Sequence, residues 1–321
     1  MIVTRILKNL PYDRLAAGST VTIGSYDGLH LGHMKLLDEV VERARKLNLP
    51  AVVMSFEPTP KEYFAVGSPP ARLMSFREKY ESLRDYGIDL LFCPRFDAAM
   101  RATDVDTFIR RLLLHALNIK ELVVGDDFRF AKNRAGGIDD LRRAGDALGF
   151  EVTKVASVVH EDERVSSGAI RHALEDGDLQ RAETLLGRPY RMSGTVVEGH
   201  KLGRQLGFPT ANFNLNRKKS AVLGIFAARV SGVADSPMNA VVSVGTRPTF
   251  AGTNTLIEAH VFDFEGDLYG KRIHVDFVQK LRDELKFDSA ADLVDQMNLD
   301  AGQARAILRQ RYDRPRPRVT M

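Results

Sequence analysis

The sequence has few of the features that would set it apart from ordinary soluble proteins. Its 321 residues include one cysteine, Cys93, so no intrachain disulfide framework can form and a reducing compartment is indicated. No apolar run approaches the length of a membrane span. Arg5 and Lys8 interrupt the apolar N-terminal segment, which makes it a poor signal peptide. We therefore expect a cytoplasmic protein with no membrane partner.

The excess of positive over negative charge is also small. Lysine and arginine number 46 against 42 aspartates and glutamates, a net charge of +4. This small excess permits nucleic-acid binding without requiring it, and anionic small molecules would explain it equally well. Residues 313–318 read D-R-P-R-P-R and are expected to be disordered and basic. Because the chain lacks a basic helix with interleaved aromatics, we expect no nucleic-acid partner.

Alternating apolar and amphipathic segments fill the first half of the chain. Short apolar runs predict strands at residues 21–23, 51–56, 90–93, 122–125 and 151–155. Helical spacing of apolar residues separates them, from residue 33 onward and at residues 76–86 and 105–117. This alternation predicts an α/β fold with a parallel, doubly wound sheet, whose ligands bind at the carboxyl ends of the strands.

The pattern changes beyond residue 187. Short alternating segments predict strands at residues 192–197, 226–233, 239–244, 256–262 and 272–277. Gly, Pro, Asn and Asp turns separate them, which indicates a small antiparallel β-barrel. Residues 290–311 predict one or two helices after the barrel. We therefore predict two domains, residues 1–187 and residues 188–321, each with its own core.

A glycine loop joins the first predicted strand of this pattern to the first long helix. Gly24 and Gly28 mark a tight turn, and Gly32 lets an anion approach the backbone. His30 and His33 lie three residues apart at the helix start, where free N–H groups and the positive end of the dipole favour phosphate. Both imidazoles can donate to one phosphoryl group. A His-x-x-His metal site and incidental histidines are the alternatives.

A second candidate anion site lies in the segment V-S-S-G-A-I-R, residues 165–171. Ser166 or Ser167 can cap a helix there. Arg171 projects over the same face as Ser167 because it lies four residues later. A helix start that carries hydroxyls and an arginine suits the β- and γ-phosphates of ATP. An ordinary cap with a surface arginine is the alternative.

The second half has its own candidate nucleotide segment, G-F-P-T-A-N at residues 207–212. No Gly-Lys-Ser/Thr follows, so it is not a P-loop. The Thr210 hydroxyl and the Asn212 carbonyl are hard oxygen donors of the kind that Mg²⁺ accepts beside nucleotide phosphates. A turn with an asparagine cap fits the spacing equally well. Glu258 lies on an alternating strand, where most carboxylates face solvent.

The glycine loop, G-x-x-D-G-x-H-x-G-H, resembles the signature of the nucleotidylyltransferase superfamily and, in its longer form, that of prokaryotic FAD synthetases. Residues 125–137 and 165–171 resemble two further motifs of these families. The resemblance implies a Rossmann-like domain in which His30, His33 and Arg171 stabilise phosphate charge during adenylyl transfer. It assigns nucleotide contacts to Gly24, Asp27, Gly28, Gly32, Asp127, Arg134, Ser166 and Ser167, and a flavin contact to Phe128. Pro58 lies in a stiff, proline-rich loop at the carboxyl end of a predicted strand, the edge where such sheets bind ligands, and we expect it to contact the flavin. The sequence departs from the family pattern at Ser25, Tyr26, Ala131 and Gly168.

The P-T-A-N segment resembles the signature of the riboflavin kinase fold. Further matches to that family occur around Glu258 and in R-D-E-L-K-F, residues 282–287. The resemblance assigns nucleotide contacts to Gly207 and Pro209, Mg²⁺ ligands to Thr210 and Asn212, the general base to Glu258, and flavin contacts to Arg282 and Glu284. The sequence departs from this pattern at His200 and Ser243.

The two resemblances together cover about residues 20–310 and imply the family of bifunctional riboflavin kinases and FMN adenylyltransferases. Such an enzyme phosphorylates riboflavin to FMN with ATP and Mg²⁺. It then transfers the adenylyl group of ATP to FMN, which yields FAD and pyrophosphate. A riboflavin kinase with a degenerate first domain is the alternative, which the departures at Ala131 and Gly168 would fit. A nucleic-acid-binding protein is the rival from another class.

Overall fold

The computed structural model describes residues 1–199, 203, 206–215, 219–249 and 252–312. His200 and the basic segment at residues 313–318 lie outside the described residues. The chain divides into two compact units. The first unit comprises Met1–Pro70 and Phe76–Ser166, and the second comprises Ala71–Ser75 and the chain from Ser167 onward. The second unit therefore begins before residue 187, and the functional boundary at that residue stays a prediction.

Parallel strands form the sheet of the first unit. They are β1 (Ile2–Thr4), β2 (Ser19–Ile23), β3 (Ala51–Met54), β4 (Leu90–Phe92), β5 (Ile119–Gly125) and β6 (Glu151–Val155). The strands pair in the order β1-β4-β3-β2-β5-β6. The chain runs from β2 to one side of the sheet and resumes at β5 on the other side of β2. The carboxyl end of β2 is therefore the topological switch point, where such sheets bind ligands.

Helices connect these strands. They are α1 (Leu31–Leu47), α2 (Pro60–Tyr63), α3 (Phe76–Asp85), α4 (Ala98–Ala102), α5 (Val105–Thr107) and α6 (Ile138–Leu148), with 3-10 turns at Leu7–Asn9 and Lys132–Arg134. α5 continues into a π-helix, Phe108–Ala116, where the sequence predicts one helix over residues 105–117. A hairpin of β7 (Val159–His160) and β8 (Glu163–Arg164) lies near the end of the unit. The predicted Rossmann-like fold is confirmed.

An antiparallel sheet forms the core of the second unit. Its elements are α7 (Ser167–Glu175), α8 (Leu179–Leu186), β9 (Tyr190–Thr195), β10 (Ala211–Asn214), β11 (Gly224–Ser231), β12 (Met238–Thr249), β13 (Gly252–Val261), β14 (Arg272–Arg282) and α9 (Ala290–Tyr312). The strands pair in the order β10-β13-β12-β11-β14-β9. Val197, just beyond β9, bridges Asn212 in β10. This bridge joins the two ends of the sheet, as the predicted barrel requires.

The C-terminal helix covers part of this barrel. Ala304 and Leu308 of α9 are fully buried and pack against Ala227 and Val278, so the predicted barrel followed by helix is confirmed. The segment for which the sequence allowed either a turn or a nucleotide site forms the strand β10. Burial of its Phe213 in the barrel favours the strand. Among the described residues, none of the helices combines the length and apolar character needed to cross a membrane.

Candidate active sites

The loop after β2 turns sharply before it enters α1. Tyr26, Gly28 and Leu29 have φ angles of +47°, +94° and +45°. These lie in the left-handed region, which residues other than glycine rarely adopt. The Tyr26 ring is fully buried, and its hydroxyl shares a hydrogen bond of 2.6 Å with Thr22 Oγ1. Thr22 thus satisfies the hydroxyl of this buried ring.

His30 is the N-cap of α1. Its Nδ1 accepts a hydrogen bond of 3.3 Å from the backbone N–H of His33. A nitrogen that accepts carries no proton, so the ring proton of His30 lies on Nε2. The capping interaction therefore makes Nε2 the donor of this ring, at a helix start that already favours anions.

His33 packs face to face with His30. The ring centroids lie 3.7 Å apart at an angle of 18°. Among the described residues, the buried Nδ1 of His33 has no hydrogen-bond partner, which suits a ligand that would supply one. Burial, followed by the nearby His30 and Lys79, lowers the pKa of His33 well below its ordinary value. His33 is therefore neutral at neutral pH and can offer a ligand hydrogen bonds rather than charge.

Lys79 of α3 is a buried cation that the sequence interpretation missed. It is 3% exposed, and its Nζ donates to the Ser25 carbonyl at 2.6 Å and to Ser55 Oγ at 3.4 Å. Ser25 and Ser55 follow β2 and β3, so this ammonium lies at the ligand-binding edge of the sheet. The spacing of residues in this helix could have indicated that Lys79 is buried. Lys79 precedes the fully buried Leu83 by four residues and so shares its helix face.

The aromatic and basic segment after β5 contains three of the predicted contacts. The Asp127 carboxylate lies 2.7 Å from Arg164 Nη1, and this ion pair lowers the pKa of Asp127. The ring of Phe128 stacks 5.8 Å from that of Phe130 and packs against the core. Arg134 is exposed. Asp127 thus has a structural partner, and its predicted nucleotide contact stays a prediction.

The remaining predicted residues of the first unit lie around these loops. Gly24, Asp27 and Gly28 belong to the loop after β2, and Asp27 is buried. A Cβ on Gly32 would lie 3.3 Å from the His30 ring, so any side chain there would press on that imidazole. Pro58 directly precedes the N-cap of α2, Thr59. Ser166 is the last residue of this unit.

The Arg171 side chain of the second unit donates to two backbone carbonyl groups. α7 begins at Ser167, and Gly168 is its second residue. Arg171 Nη1 donates to the Ser167 carbonyl at 3.1 Å, and Nε donates to the Ala71 carbonyl at 2.6 Å. The guanidinium therefore links the first turn of α7 to the segment Ala71–Ser75. Its predicted role toward phosphate stays a prediction.

A cavity of about 420 Å³ opens on the barrel of the second unit. It collects most of the residues predicted for a kinase site. Its lining includes Thr210, Asn212, Glu258, Arg282 and Glu284, together with Ser243 and His260. Gly207 and Pro209 lie in the adjoining segment before Thr210. The long-range pairing of the strands thus brings together residues that are up to 74 positions apart in the sequence, from Thr210 to Glu284.

Three strands align their polar side chains in one row across this cavity. Asn212 of β10 lies directly opposite Glu258 of β13, and Glu258 lies directly opposite Ser243 of β12. Directly opposed residues project from the same face of a sheet. The amide, the carboxylate and the hydroxyl therefore form one wall of the cavity.

The oxygen donors of the P-T-A-N segment fit a bound Mg²⁺. The amide nitrogen of Asn212 donates to the Thr210 carbonyl and to Thr210 Oγ1, at 3.2 Å each, which leaves Oδ1 as the ligand atom. A Cβ on Gly199 would lie within 2.9 Å of the Asn212 side-chain amide, so the glycine makes room for it. In the described part of the chain, no cluster of three or more His, Cys, Asp or Glu side chains could hold a metal. ATP phosphates would have to complete the coordination.

Arg282 makes a forked ion pair at the edge of the cavity. It donates to Asp300 of α9 through Nε at 2.9 Å and through Nη2 at 2.6 Å. Burial and the charge of Glu258 raise the pKa of Glu284, and Arg282 partly offsets this rise. Arg282 thus attaches α9 to the barrel, while the flavin contacts predicted for Arg282 and Glu284 stay predictions.

Comparison with known proteins assigns a separate family to each half of the chain. A family model described as FAD synthetase matches residues 13–169, and one described as riboflavin kinase matches residues 186–308. The bifunctional riboflavin kinase/FMN adenylyltransferase of Escherichia coli strain K12 is 44% identical over 90% of this chain and 92% of its own length. The protein of the same name from Haemophilus influenzae is 41% identical over 92% and 96%, and that from Pseudomonas fluorescens is 40% identical over 90% and 93%.

A solved structure from Streptococcus pneumoniae has the same fold over almost the whole chain. It is 32% identical, with a TM-score of 0.79, and the match covers 95% of this chain and 98% of that one. That protein is named a macrolide-efflux protein. The relatives with higher sequence identity, and both family models, instead name flavin-modifying enzymes.

Proposed function

The chain belongs to the family of bifunctional riboflavin kinases/FMN adenylyltransferases, and we propose that it makes FAD from riboflavin in two ATP-dependent steps. The first step phosphorylates riboflavin to FMN, and the second adenylylates FMN with release of pyrophosphate. One observation carries this proposal. Each family match contains its own set of reactive groups, the histidine loop before α1 in one and the row of side chains around Glu258 in the other.

We propose that the second unit is the kinase. The 5′-hydroxyl of riboflavin is a neutral nucleophile, so it needs a base as it attacks the γ-phosphorus of ATP. The new P–O bond forms as the bond from the γ-phosphorus to the bridging oxygen breaks, and ADP leaves. Glu258 accepts that proton, and its position opposite Asn212 puts the base beside the nucleotide segment. Mg²⁺ held by Thr210 and Asn212 would neutralise part of the phosphate charge. Gly207 and Pro209 contact the nucleotide, and Arg282 and Glu284 approach the flavin.

We propose that the loop before α1 performs adenylyl transfer. The phosphate of FMN is already ionised, so it attacks the α-phosphorus of ATP in line without a base. The new P–O bond forms as the bond to the departing pyrophosphate breaks, and no proton has to move. His30 Nε2, His33 and the N–H groups at the start of α1 bind the charge that develops. Arg171 and Ser167 bind the β- and γ-phosphates of ATP. Pro58 and Phe128 contact the flavin.

The alternative, a kinase with a degenerate first domain, is not favoured. The FAD synthetase model matches residues 13–169, and the curated relatives align across both halves. We further propose that the two activities divide near residue 187. A cytoplasmic location would fit substrates such as ATP and the reduced, buried Cys93.

Two incubations test this function. The first supplies riboflavin, ATP and Mg²⁺, and chromatography follows FMN and FAD separately. The second supplies FMN in place of riboflavin. We expect FMN and then FAD in the first, and FAD with an equal amount of pyrophosphate in the second. FMN that accumulates without FAD would instead support the kinase-only alternative. A chelator titration in both incubations tests the requirement for Mg²⁺.

A further inference from the structure

The histidine pair at the start of α1 is poorly suited to carry positive charge. His30 accepts a hydrogen bond through Nδ1, and the two rings stack at 3.7 Å, where two imidazolium charges would repel each other. The pKa of His33 lies well below its ordinary value. Adenylyl transfer nevertheless brings the charged phosphates of ATP and FMN together. Positive charge in the first unit therefore has to come from other groups.

Lys79 is a cation that contacts the loop before α1. Its Nζ donates at 2.6 Å to the carbonyl of Ser25, which lies between Gly24 and Tyr26. The Tyr26 ring in turn lies 5.0 Å from the His33 ring. Burying an ammonium costs several kcal/mol unless its surroundings compensate, and a screened surface lysine would avoid that cost. A charge this deeply buried acts over a short distance with little screening.

We propose that Lys79 is a positioning residue for adenylyl transfer, whose ammonium fixes the Ser25 carbonyl and supplies permanent positive charge beside the histidine pair. This inference rests on the proposed adenylyltransferase function of the same loop. Lys79 anchors the turn that orients His30 and His33, and its charge favours phosphate at the start of α1. The same charge helps to keep His33 neutral, so the imidazole bonds to phosphate without a change of protonation.

The alternative is a structural lysine that only joins two loops. Ser55 Oγ, which follows β3, lies 3.4 Å from Nζ, so Lys79 does link the ends of β2 and β3. A structural role predicts that a methionine of similar length, which fills the same volume, keeps most activity once the protein is folded. A role for the charge predicts that methionine fails and that an added ammonium restores the rate.

The experiment measures FAD formation from FMN and ATP, with FMN formation from riboflavin as an internal control. Lys79→Met should lower kcat for FAD formation by about 10²-fold, the loss typical of one preorganised electrostatic group. Its FMN formation should remain normal. Lys46→Met is the matched control, because Lys46 is exposed on α1, and it should leave both reactions unchanged.

Chemical rescue separates charge from packing. Lys79→Ala removes the atoms that propylammonium can replace, so propylammonium should raise kcat for FAD formation at least tenfold, whereas 1-propanol should not. If propylammonium fails, or if both compounds restore the rate equally, Lys79 supplies packing and the proposal is wrong. Near-normal FAD formation by Lys79→Met would also overturn it. Failure of the wild-type protein to convert FMN to FAD would instead overturn the proposed function itself.

Discussion

The two candidate sites use opposite kinds of chemical group. The first site consists of hydrogen-bond donors and a cation, with His30 and the start of α1 beside the buried Lys79. The second is a row of oxygen atoms, in which Asn212, Glu258 and Ser243 face one cavity. The two proposed reactions would account for this difference through their nucleophiles. An ionised phosphate needs compensation of charge, whereas a neutral hydroxyl needs removal of a proton.

The two sites also differ in how the fold positions them. Local structure makes the histidine part of the first one, because a strand end, a tight turn and a helix cap all lie between residues 23 and 33, and only Lys79 joins it from a distant helix. Strand register makes the second one, because its residues come from three strands that are distant in sequence. Substitutions should therefore separate the two reactions cleanly, and the following experiments test how far this separation holds.

The largest expected effect is that of Glu258→Gln on FMN formation. Glutamine keeps the shape of the side chain and cannot accept the proton, so kcat should fall by about 10³-fold, within the range for loss of a general base. Conversion of supplied FMN to FAD should be unchanged. Glu265→Gln is the control, since Glu265 is exposed in the same unit. Near-normal kinase turnover in Glu258→Gln would exclude Glu258 as the base.

His33→Ala should lower FAD formation and leave FMN formation unchanged, with a somewhat smaller loss than that caused by Glu258→Gln. Loss of a preorganised hydrogen-bonding group costs about 10²-fold in kcat, here in FAD formation alone. FMN formation should continue at the wild-type rate, and His115→Ala, at an exposed position of the first unit, should affect neither reaction. An equal loss of both activities in His33→Ala would break the proposed separation.

Acid should weaken the first unit through His33. Above about pH 6.5 the ring is neutral in both the folded and unfolded states. Its pKa is lowered by folding, so below that pH the unfolded chain binds a proton that the folded one does not. Stability then falls with decreasing pH, by at most about 1.4 kcal/mol per unit, until the folded pKa is reached. Hydrogen exchange of α1 amides, measured from pH 7 to pH 5, should show this slope in the wild type and a shallower one in His33→Ala.

Ala131→Gly should have the smallest effect, a gain in stability. Ala131 has φ of +65° and ψ of −177°, a conformation open almost only to glycine. Relief of this strain, less the entropy that glycine loses on folding, should stabilise the first unit by about 1 kcal/mol. Ala135→Gly is the control, because φ at Ala135 is −66° and glycine there should bring no gain in denaturant stability.

Local patterns located the loop and helix start of the first site more directly than the strand pairing of the second. Both histidines and the helix start could be located from the glycine spacing, because all of them lie within one turn of chain. The alignment of Asn212 with Glu258 depends on pairing between β10 and β13, and no local pattern determines that register. β10 itself is short and follows a proline, so the sequence left a turn as an equal alternative.

The partners of two charged side chains also lay beyond what local patterns could show. Lys79 was passed over because most lysines on amphipathic helices are exposed, and only its spacing to Leu83 indicated the buried face. Arg282 was predicted as a flavin contact from its motif. The structure shows its ion pair with Asp300, which lies 18 residues later on α9. Such a pairing depends on where the helix docks, which the sequence pattern does not specify.

Mixing two variants tests the separation of the two reactions most directly. Glu258→Gln and His33→Ala are each incubated with riboflavin, ATP and Mg²⁺, alone and then together. Over a time in which the wild type makes FAD, the first alone should form little FMN or FAD, and the second alone should form FMN with little FAD. The mixture should form FAD after a lag in which free FMN accumulates. FAD formed by either variant alone at a rate close to that of the wild type, or a mixture that makes FMN but no FAD faster than His33→Ala alone, would contradict two independent sites linked by released FMN.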